Sequence, residues 1–199
     1  LLESFEIDIT YIHKSNSSFD DRILESFVHI KTKYAQLIGD EDFYISSAIT
    51  SCINELEKDE KLIGCIGCCL KFFNYKKYNL INSQLVYHRL YDEYEWLNKD
   101  DPIKRLHGYM ENYIAAPIYG VIRTNNWIDA FKLIFKKKYS FFSPEEIIIN
   151  MFFAFNGRIK VLKELHWLRS ANENIPVREQ HYKFQQPLKT IKKWWDINE

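Results

Sequence analysis

The chain has 199 residues with 27 acidic and 27 basic side chains, so its formal net charge is zero. A chain without a basic excess does not have the composition typical of a nucleic-acid-binding domain. Hydrophobic residues make up 46% of the chain and charged residues 27%, which excludes disorder over most of its length. The length predicts a single domain over residues 1–199, whose core needs no disulfide or metal to fold.

The cysteines and the apolar runs predict a cytoplasmic protein. No apolar run approaches the roughly 20 residues that cross a bilayer, and residues 1–6 lack the basic start of a signal peptide. The four cysteines are Cys52, Cys65, Cys68 and Cys69, and three of them fall within five residues. A disulfide framework spaces its cysteines across loops, so free thiols in a reducing cytoplasm are expected instead.

Residues 3–12 open the chain with an alternating pattern, in which Phe5, Ile7, Ile9 and Tyr11 are separated by polar side chains. A period of two is typical of a strand, but a lone strand has no partner for its backbone hydrogen bonds. We therefore expect a helix here, with a short extended arm as the alternative.

Four further helices are predicted before residue 100. Ser18 or Asp20 caps the first, and apolar residues at 23, 27, 30, 34 and 37 give it one buried stripe. The acidic residues 40–42 open the second, because carboxylates stabilise the positive end of a helix dipole. The third and fourth are predicted over residues 62–73 and 81–97.

The second half of the chain carries the two strongest capping signals. Asp101 precedes Pro102, which suits the first helical position, and Ser143 with Glu146 forms a capping box. These signals and the apolar spacing predict helices over residues 102–117, from 125 or 126 to 138, 144–155 and 158–171, and a last helix from 187.

These elements define the predicted fold class. The helices are joined by short connections, and no segment repeats at a fixed period. We expect an all-α domain of about eight helices, arranged as an antiparallel multi-helix bundle or as stacked helical hairpins.

The crowded cysteines are the first candidate site. Together with Cys52, the group Cys65, Cys68 and Cys69 offers the four thiols that a structural zinc ion takes. The surrounding segment is more apolar than a zinc knuckle, and on a helix the three clustered cysteines share one face. Buried cysteine behaves as a small hydrophobe, so helix packing is the favoured interpretation and no metal site is predicted.

Arg22 and His29 are separated by six residues, and this spacing resembles the Arg-x(4–6)-His motif of the HEPN ribonucleases. In that all-helical family the arginine and the histidine act on the RNA phosphodiester. The resemblance is confined to this one motif. It implies, as an alternative function, a helical ribonuclease that needs no metal.

Charge is unevenly distributed along the neutral chain. Residues 1–60 contain 13 acids and 5 bases, whereas residues 61–199 contain 14 acids and 22 bases. Solvated helix faces produce such a pattern, and so does a binding face, because complementary charge raises the rate and specificity of association. The bases also leave open a nucleic-acid-binding helical module, since cations bind phosphate. Its patch would consist of Lys132, Lys136, Lys137 and Lys138.

The predicted function is a non-enzymatic protein-binding domain, and no catalytic residue is assigned. Its most concrete form is an immunity or antitoxin-type inhibitor that binds a basic partner, such as a nuclease toxin, through an acidic face. The predicted partner-binding residues are Asp40, Glu41, Asp42, Glu55, Asp59 and Glu60. No cofactor, metal or membrane contact is expected.

Overall fold

The computed structural model describes residues 8–40, 42–73, 84–86, 94–112, 116–135 and 142–170. Within these ranges the chain forms five α-helices and a six-stranded sheet. The predicted all-α bundle of about eight helices is therefore wrong, and the fold combines helices with a sheet.

The helices are α1 (Phe19–Ser26), α2 (Ser46–Lys58), α3 (Pro102–Glu111), α4 (Thr124–Ile134) and α5 (Phe142–Asn156). The strands are β1 (Tyr34–Ala35), β2 (Phe43–Tyr44), β3 (Leu62–Phe73), β4 (Gln84–Val86), β5 (Val121–Arg123) and β6 (Arg158–Ser170). Two 3₁₀ helices span Glu95–Asn98 and Ala116–Tyr119.

The sheet is built around two long strands. β3 and β6 run parallel to each other, and the other pairs of neighbouring strands are antiparallel. The strand order is β1-β5-β3-β6-β2, and β4 pairs with residues 71–73 at the far end of β3. β3 lies in the middle with residues 62–67 buried, so it supplies the centre of the core.

The two long strands replace the helices predicted at 62–73 and 158–171. A central strand is buried on both faces, and its continuous apolar run has no period that separates a strand from a helix. β3 also contains isoleucines and glycines, which are poor helix formers. The cysteines consequently do not share a helix face: Cys65 packs toward α2, and Cys69 lies in the core on the opposite side of the sheet.

Two predicted helix starts are confirmed. Ser18 caps α1, because its hydroxyl oxygen accepts a hydrogen bond from the backbone N–H of Asp21 at 3.1 Å. Asp101 caps α3 in the same manner, and Pro102 occupies the first turn. α4 and α5 also overlap the helices predicted over 125–138 and 144–155.

Strand pairing sets the boundaries that the sequence did not predict. α1 ends well before residue 37, because the chain continues into β1, which pairs with β5. α2 begins after the acidic residues 40–42, because β2 pairs with β6 ahead of it. α5 begins at Phe142, so Ser143 lies inside its first turn and not ahead of it.

The helices cover both faces of the sheet. α2 packs on one face, where Cys52, Leu56, Cys65 and Val121 form a small core. α4 and α5 pack on the other face, and α3 packs against α5. The larger core on that side includes Ile66, Leu97, Ile118, Ile122, Trp127, Phe131, Ile149, Phe153, Ile159 and Trp167.

Two arginines tie helix ends to the rest of the fold. Arg105 is 4% exposed, and its guanidinium donates to the carbonyl oxygens of Ala154 at 2.6 Å and Phe155 at 3.0 Å, in the last turn of α5. Arg123 donates to the carbonyl oxygen of Leu56 near the end of α2, and to that of Leu62 in β3. Both side chains satisfy carbonyl groups that a helix or strand end leaves without a backbone partner.

Some predictions fall on other parts of the chain. The helix from residue 187 and the lysines at 136–138 lie outside the described residues. The helix predicted at 81–97 is wrong where it is described, because residues 84–86 form β4 and residues 95–98 a 3₁₀ helix. Residues 8–14 are described and form neither a helix nor a strand, so the helix expected there is absent from them. Among the described helices, none has both the length and the apolar character needed to span a bilayer.

Candidate protein-binding surface

A tight turn ahead of β2 brings acidic and exposed apolar side chains together. The backbone N–H of Asp42 donates to the carbonyl oxygen of Gly39 at 3.1 Å and closes the turn. On its two sides Ile38 is 50% exposed and Phe43 is 59% exposed, and Asp40 is exposed between them. Ile38, Gly39, Asp40, Asp42 and Phe43 are together called the acidic turn.

Tyr44 anchors the acidic turn to the core. Its hydroxyl donates to the carbonyl oxygen of Leu37 at 2.6 Å, so the residues before and after the turn are tied together. Burial raises the pKa of this phenol, which therefore keeps its proton and remains a donor. The ring packs against His166 and Trp167, with centroid separations of 5.0 and 6.3 Å.

His166 fills a gap in the pairing of β3 with β6. Ile66 pairs with Val161 and Cys68 pairs with Leu165, so β6 has two more residues than β3 in this interval and the pairing is irregular around Gly67. The backbone N–H of Gly67 donates to Nδ1 of His166 at 3.3 Å. The backbone carbonyl of His166 accepts from Ile45 on the side of β2, so one residue connects three segments.

The imidazole of His166 is a neutral structural group. It is 0% exposed, and burial lowers its pKa to about 4. Nδ1 of the ring accepts from the backbone N–H of Gly67, and Nε2 lies 3.0 Å from the carboxamide nitrogen of Gln36. The ring is not in contact with solvent, whereas a general base has to reach its substrate.

The predicted acidic residues divide into a group on exposed loops and a group whose carboxylates pair with bases of β6. Asp40 and Asp42 lie in the acidic turn, and Glu60 is exposed in the loop after α2. Glu41 lies outside the described residues. The remaining two, Glu55 and Asp59, lie on α2 and just after it, away from the turn.

Basic side chains from β6 neutralise this second group. Lys160 forms an ion pair with Glu55, and together with Lys58 it lowers the pKa of that carboxyl to about 2. Arg158 forms an ion pair with Asp59 in the same way. The excess of acids within residues 1–60 is therefore offset locally by bases from distant sequence, and α2 does not present a purely acidic face.

The four cysteines are free thiols, with three buried and Cys68 partly exposed. A hydrogen bond with the Cys65 thiol, added to burial, raises the pKa of Cys52. In the described part of the chain no group of three or more His, Cys, Asp or Glu side chains is arranged to hold a metal ion.

The residues of the two alternative functions lie apart from the acidic turn. Arg22 is exposed on α1, and His29 is exposed in the turn that follows. Neither lines any of the three grooves formed by residues 30–33 with 123–128, 94–99 with β6, and α2 with β6. The all-helical fold that the HEPN resemblance implies is contradicted by the sheet. Of the basic patch, Lys132 is exposed on α4, with its ammonium 6.0 Å from the centre of the Phe27 ring.

Three residues that shape this surface were not singled out in the sequence. Phe43 falls in the second predicted helix and Ile38 just after the first, so neither was predicted to be an exposed side chain of a turn. His166 has no local signature, because its role depends on the irregular register between two strands.

No protein-family model matches the sequence, and no curated protein matches it.

Proposed function

We propose that the chain is a non-enzymatic protein-binding domain that contacts its partner through the acidic turn. The observation that carries the proposal is the exposure of Ile38 and Phe43 on either side of the acidic residues of that turn. Aromatic side chains are enriched at the centres of protein interfaces, where a few buried anchors dominate the binding energy. Neighbouring carboxylates then favour a basic partner and speed its association.

The attachment of the turn to the core supports the same function. Tyr44 ties the two ends of the turn together, and its ring packs on His166 and Trp167 in the core. A turn whose two sides are tied together loses less entropy when it binds. An inhibitor of the immunity or antitoxin type that binds a basic nuclease toxin is the most specific form of this proposal.

Site-specific photo-crosslinking in the source cells tests the proposal. A photoreactive residue at position 43 is expected to capture a basic protein, because Phe43 lies at the centre of the proposed contact. The control places the same residue at position 103, because Ile103 is 64% exposed on α3 and remote from the turn. Capture of the same proteins from both positions would count against the acidic turn.

Binding kinetics with the captured protein complete the test. Phe43→Ser is expected to weaken binding by about 2 kcal/mol or more, the loss typical of an interface anchor. Asp40→Lys is expected to slow association mainly at low salt, because exposed charges act on the encounter of the two proteins. The matched variant Ile103→Ser should bind as the unmodified chain does. If Phe43→Ser also binds normally, the turn is not the interface.

A further inference from the structure

The described residues place no strand along one side of β6 over most of its length. β2 pairs with β6 only at Leu168 and Trp167, with one more hydrogen bond from Ile45 to His166. Among the described residues no strand pairs with residues 158–165 on the side away from β3. An unpaired edge presents free backbone N–H and C=O groups, which another extended segment can use.

Two grooves flank this open edge. The first, of about 430 Å³, is lined by the first 3₁₀ helix and by Lys160, Val161 and Lys163 of β6. The second, of about 300 Å³, is lined by α2 and by Leu162 and Glu164. Side chains of an added strand point alternately to the two faces of the sheet, so each groove would receive one face of the added segment.

The first groove is basic. Lys99 and Lys163 line it with one carboxylate, that of Glu95. Lys160 also lines it, but its ammonium is paired with Glu55 of α2. Lysines on a sheet edge oppose pairing with neutral or basic strands. Pairing with an acidic strand is instead favoured, because its carboxylates would lie beside these ammonium groups.

The chain contains one acidic segment with a strand pattern. Residues 1–12 hold three acids (Glu3, Glu6 and Asp8) and no base, with apolar residues at every second position from 5 to 11. By contrast, residues 171–199 hold five bases and four acids, and residues 74–83 hold two lysines and no acid. Charge complementarity therefore selects the first of these segments as the occupant of the edge.

We propose that residues 3–12 of a second copy of this chain pair with the open edge of β6, so that two molecules exchange strands. Glu6 and Asp8 then face the basic first groove. The alternate apolar residues face the second groove, where Leu162 lies. Reciprocal exchange by both copies gives a closed two-fold dimer.

The structure favours a second copy over the same chain. No backbone hydrogen bond joins residues 8–14 to other described residues, and Tyr11 is 82% exposed, so residues 8–14 are accessible. Lys14 is held to Glu25 of α1, and α1 packs on α4 near β5 and β1. The strands β5 and β3 separate β1 from β6 by roughly 14 Å, so α1 lies toward the opposite side of the sheet from this edge.

Sedimentation equilibrium of the full chain tests this proposal independently of the acidic turn. The unmodified chain is expected to dimerise. Reversal of the segment by Glu6→Lys with Asp8→Lys should raise the dimer dissociation constant about tenfold or more, and so should Lys99→Glu with Lys163→Glu. Combining all four substitutions should restore most of the affinity, because the charges are complementary again.

Controls separate this dimer from other outcomes. Lys132→Glu, an equivalent reversal of an exposed lysine on α4, should leave dimerisation unchanged. In hydrogen exchange, the amides of residues 158–163 should be protected in the unmodified chain and lose protection in the Glu6→Lys, Asp8→Lys variant. A chain that stays monomeric overturns the proposal. A dimer insensitive to both reversals, or a monomer with segment-dependent protection of these amides, also overturns it.

Discussion

The backbone N–H of Gly67 donates to Nδ1 of His166 at 3.3 Å, so a side chain provides the acceptor that the neighbouring strand does not offer at this point. A buried backbone N–H without any acceptor destabilises a fold by about 1–3 kcal/mol. The same imidazole packs against Tyr44, which ties the acidic turn together. The irregular pairing of β3 with β6 is thereby connected through His166 and Tyr44 to the surface proposed to bind a partner.

Stability should decline below neutral pH because of His166. Its pKa is about 4 in the folded chain, against an ordinary value of 6.5. Between these values the unfolded chain binds a proton that the folded chain does not, so the stabilisation is complete above pH 6.5 and decreases toward pH 4. From pH 7 to pH 5 we expect a loss of about 2 kcal/mol from this residue.

Urea unfolding of His166→Asn at the same two pH values isolates this contribution. The asparagine carboxamide oxygen can still accept from Gly67, but the side chain does not titrate. The carboxylates remain the same in both proteins, so the difference between the two pH dependences belongs to His166. Parallel pH dependences in the two proteins would show that His166 does not titrate as the structure indicates.

Gly67→Ala should destabilise the fold strongly. A Cβ at this position would overlap the carbonyl oxygen of Glu164 and lie 2.7 Å from the Cβ of His166, so the backbones of β3 and β6 would have to separate. We expect a loss of more than about 3 kcal/mol in the free energy of unfolding. The matched control is Gly39→Ala, where the nearest atom, at 2.9 Å, is a carboxylate oxygen of the flexible Asp42 side chain. Equal losses from both variants would contradict the close approach at Gly67.

Arg105→Lys should weaken the attachment of α5. The guanidinium donates to carbonyl oxygens at the end of α5 and, through Nη1, to that of Asp100 at 2.8 Å. A lysine ammonium cannot reproduce this fork of donors and leaves buried carbonyls without partners. We expect a loss of about 3 kcal/mol, measured by urea unfolding. Arg22→Lys on the exposed face of α1 is the control and should stay within about 0.5 kcal/mol.

Local signals predicted parts of the fold correctly. The caps at Ser18 and Asp101 were readable because a cap depends on residues within one turn of the helix. The sequence did not predict β6, because Ile159, Leu162 and Leu165 are spaced by three residues, which is typical of a helix face. Ile159 packs into the larger core and Leu162 against the small core under α2, so residues with helix-like spacing lie on opposite faces of the strand.

The candidate site was predictable to the same limited degree. The acidic residues 40–42 stand out in the sequence, and Asp40 and Asp42 do lie in an exposed turn. Glu55 looks equivalent to them in a count of charges. Its partner Lys160 is 105 residues away, so the ion pair depends on the β3–β6 pairing and on the packing of α2. Long-range pairing of this kind has no local signature in a single sequence.

Two charge reversals of equal size should therefore have different effects on stability. Glu55→Lys with Asp59→Lys replaces two carboxylates that are paired with Lys160 and Arg158 and creates repulsion at both sites. We expect the free energy of unfolding to fall by about 2 kcal/mol, more than exposed pairs usually contribute, because Glu55 and Arg158 are only 21% and 20% exposed.

Asp40→Lys with Glu60→Lys changes the net charge by the same amount at two exposed positions. It should alter the free energy of unfolding by less than about 0.5 kcal/mol, but it should slow association with a basic partner at low salt. The Glu55 and Asp59 reversal should slow association less, because those carboxylates are already neutralised by bases of β6. Urea unfolding and stopped-flow binding at two salt concentrations measure both effects.

Adding Lys160→Glu to Glu55→Lys should recover part of the lost stability, since the pair is restored in reverse. Equal destabilisation by both double reversals would show that the two groups of acids are not distinct, and equal slowing of association would show that binding senses only net charge.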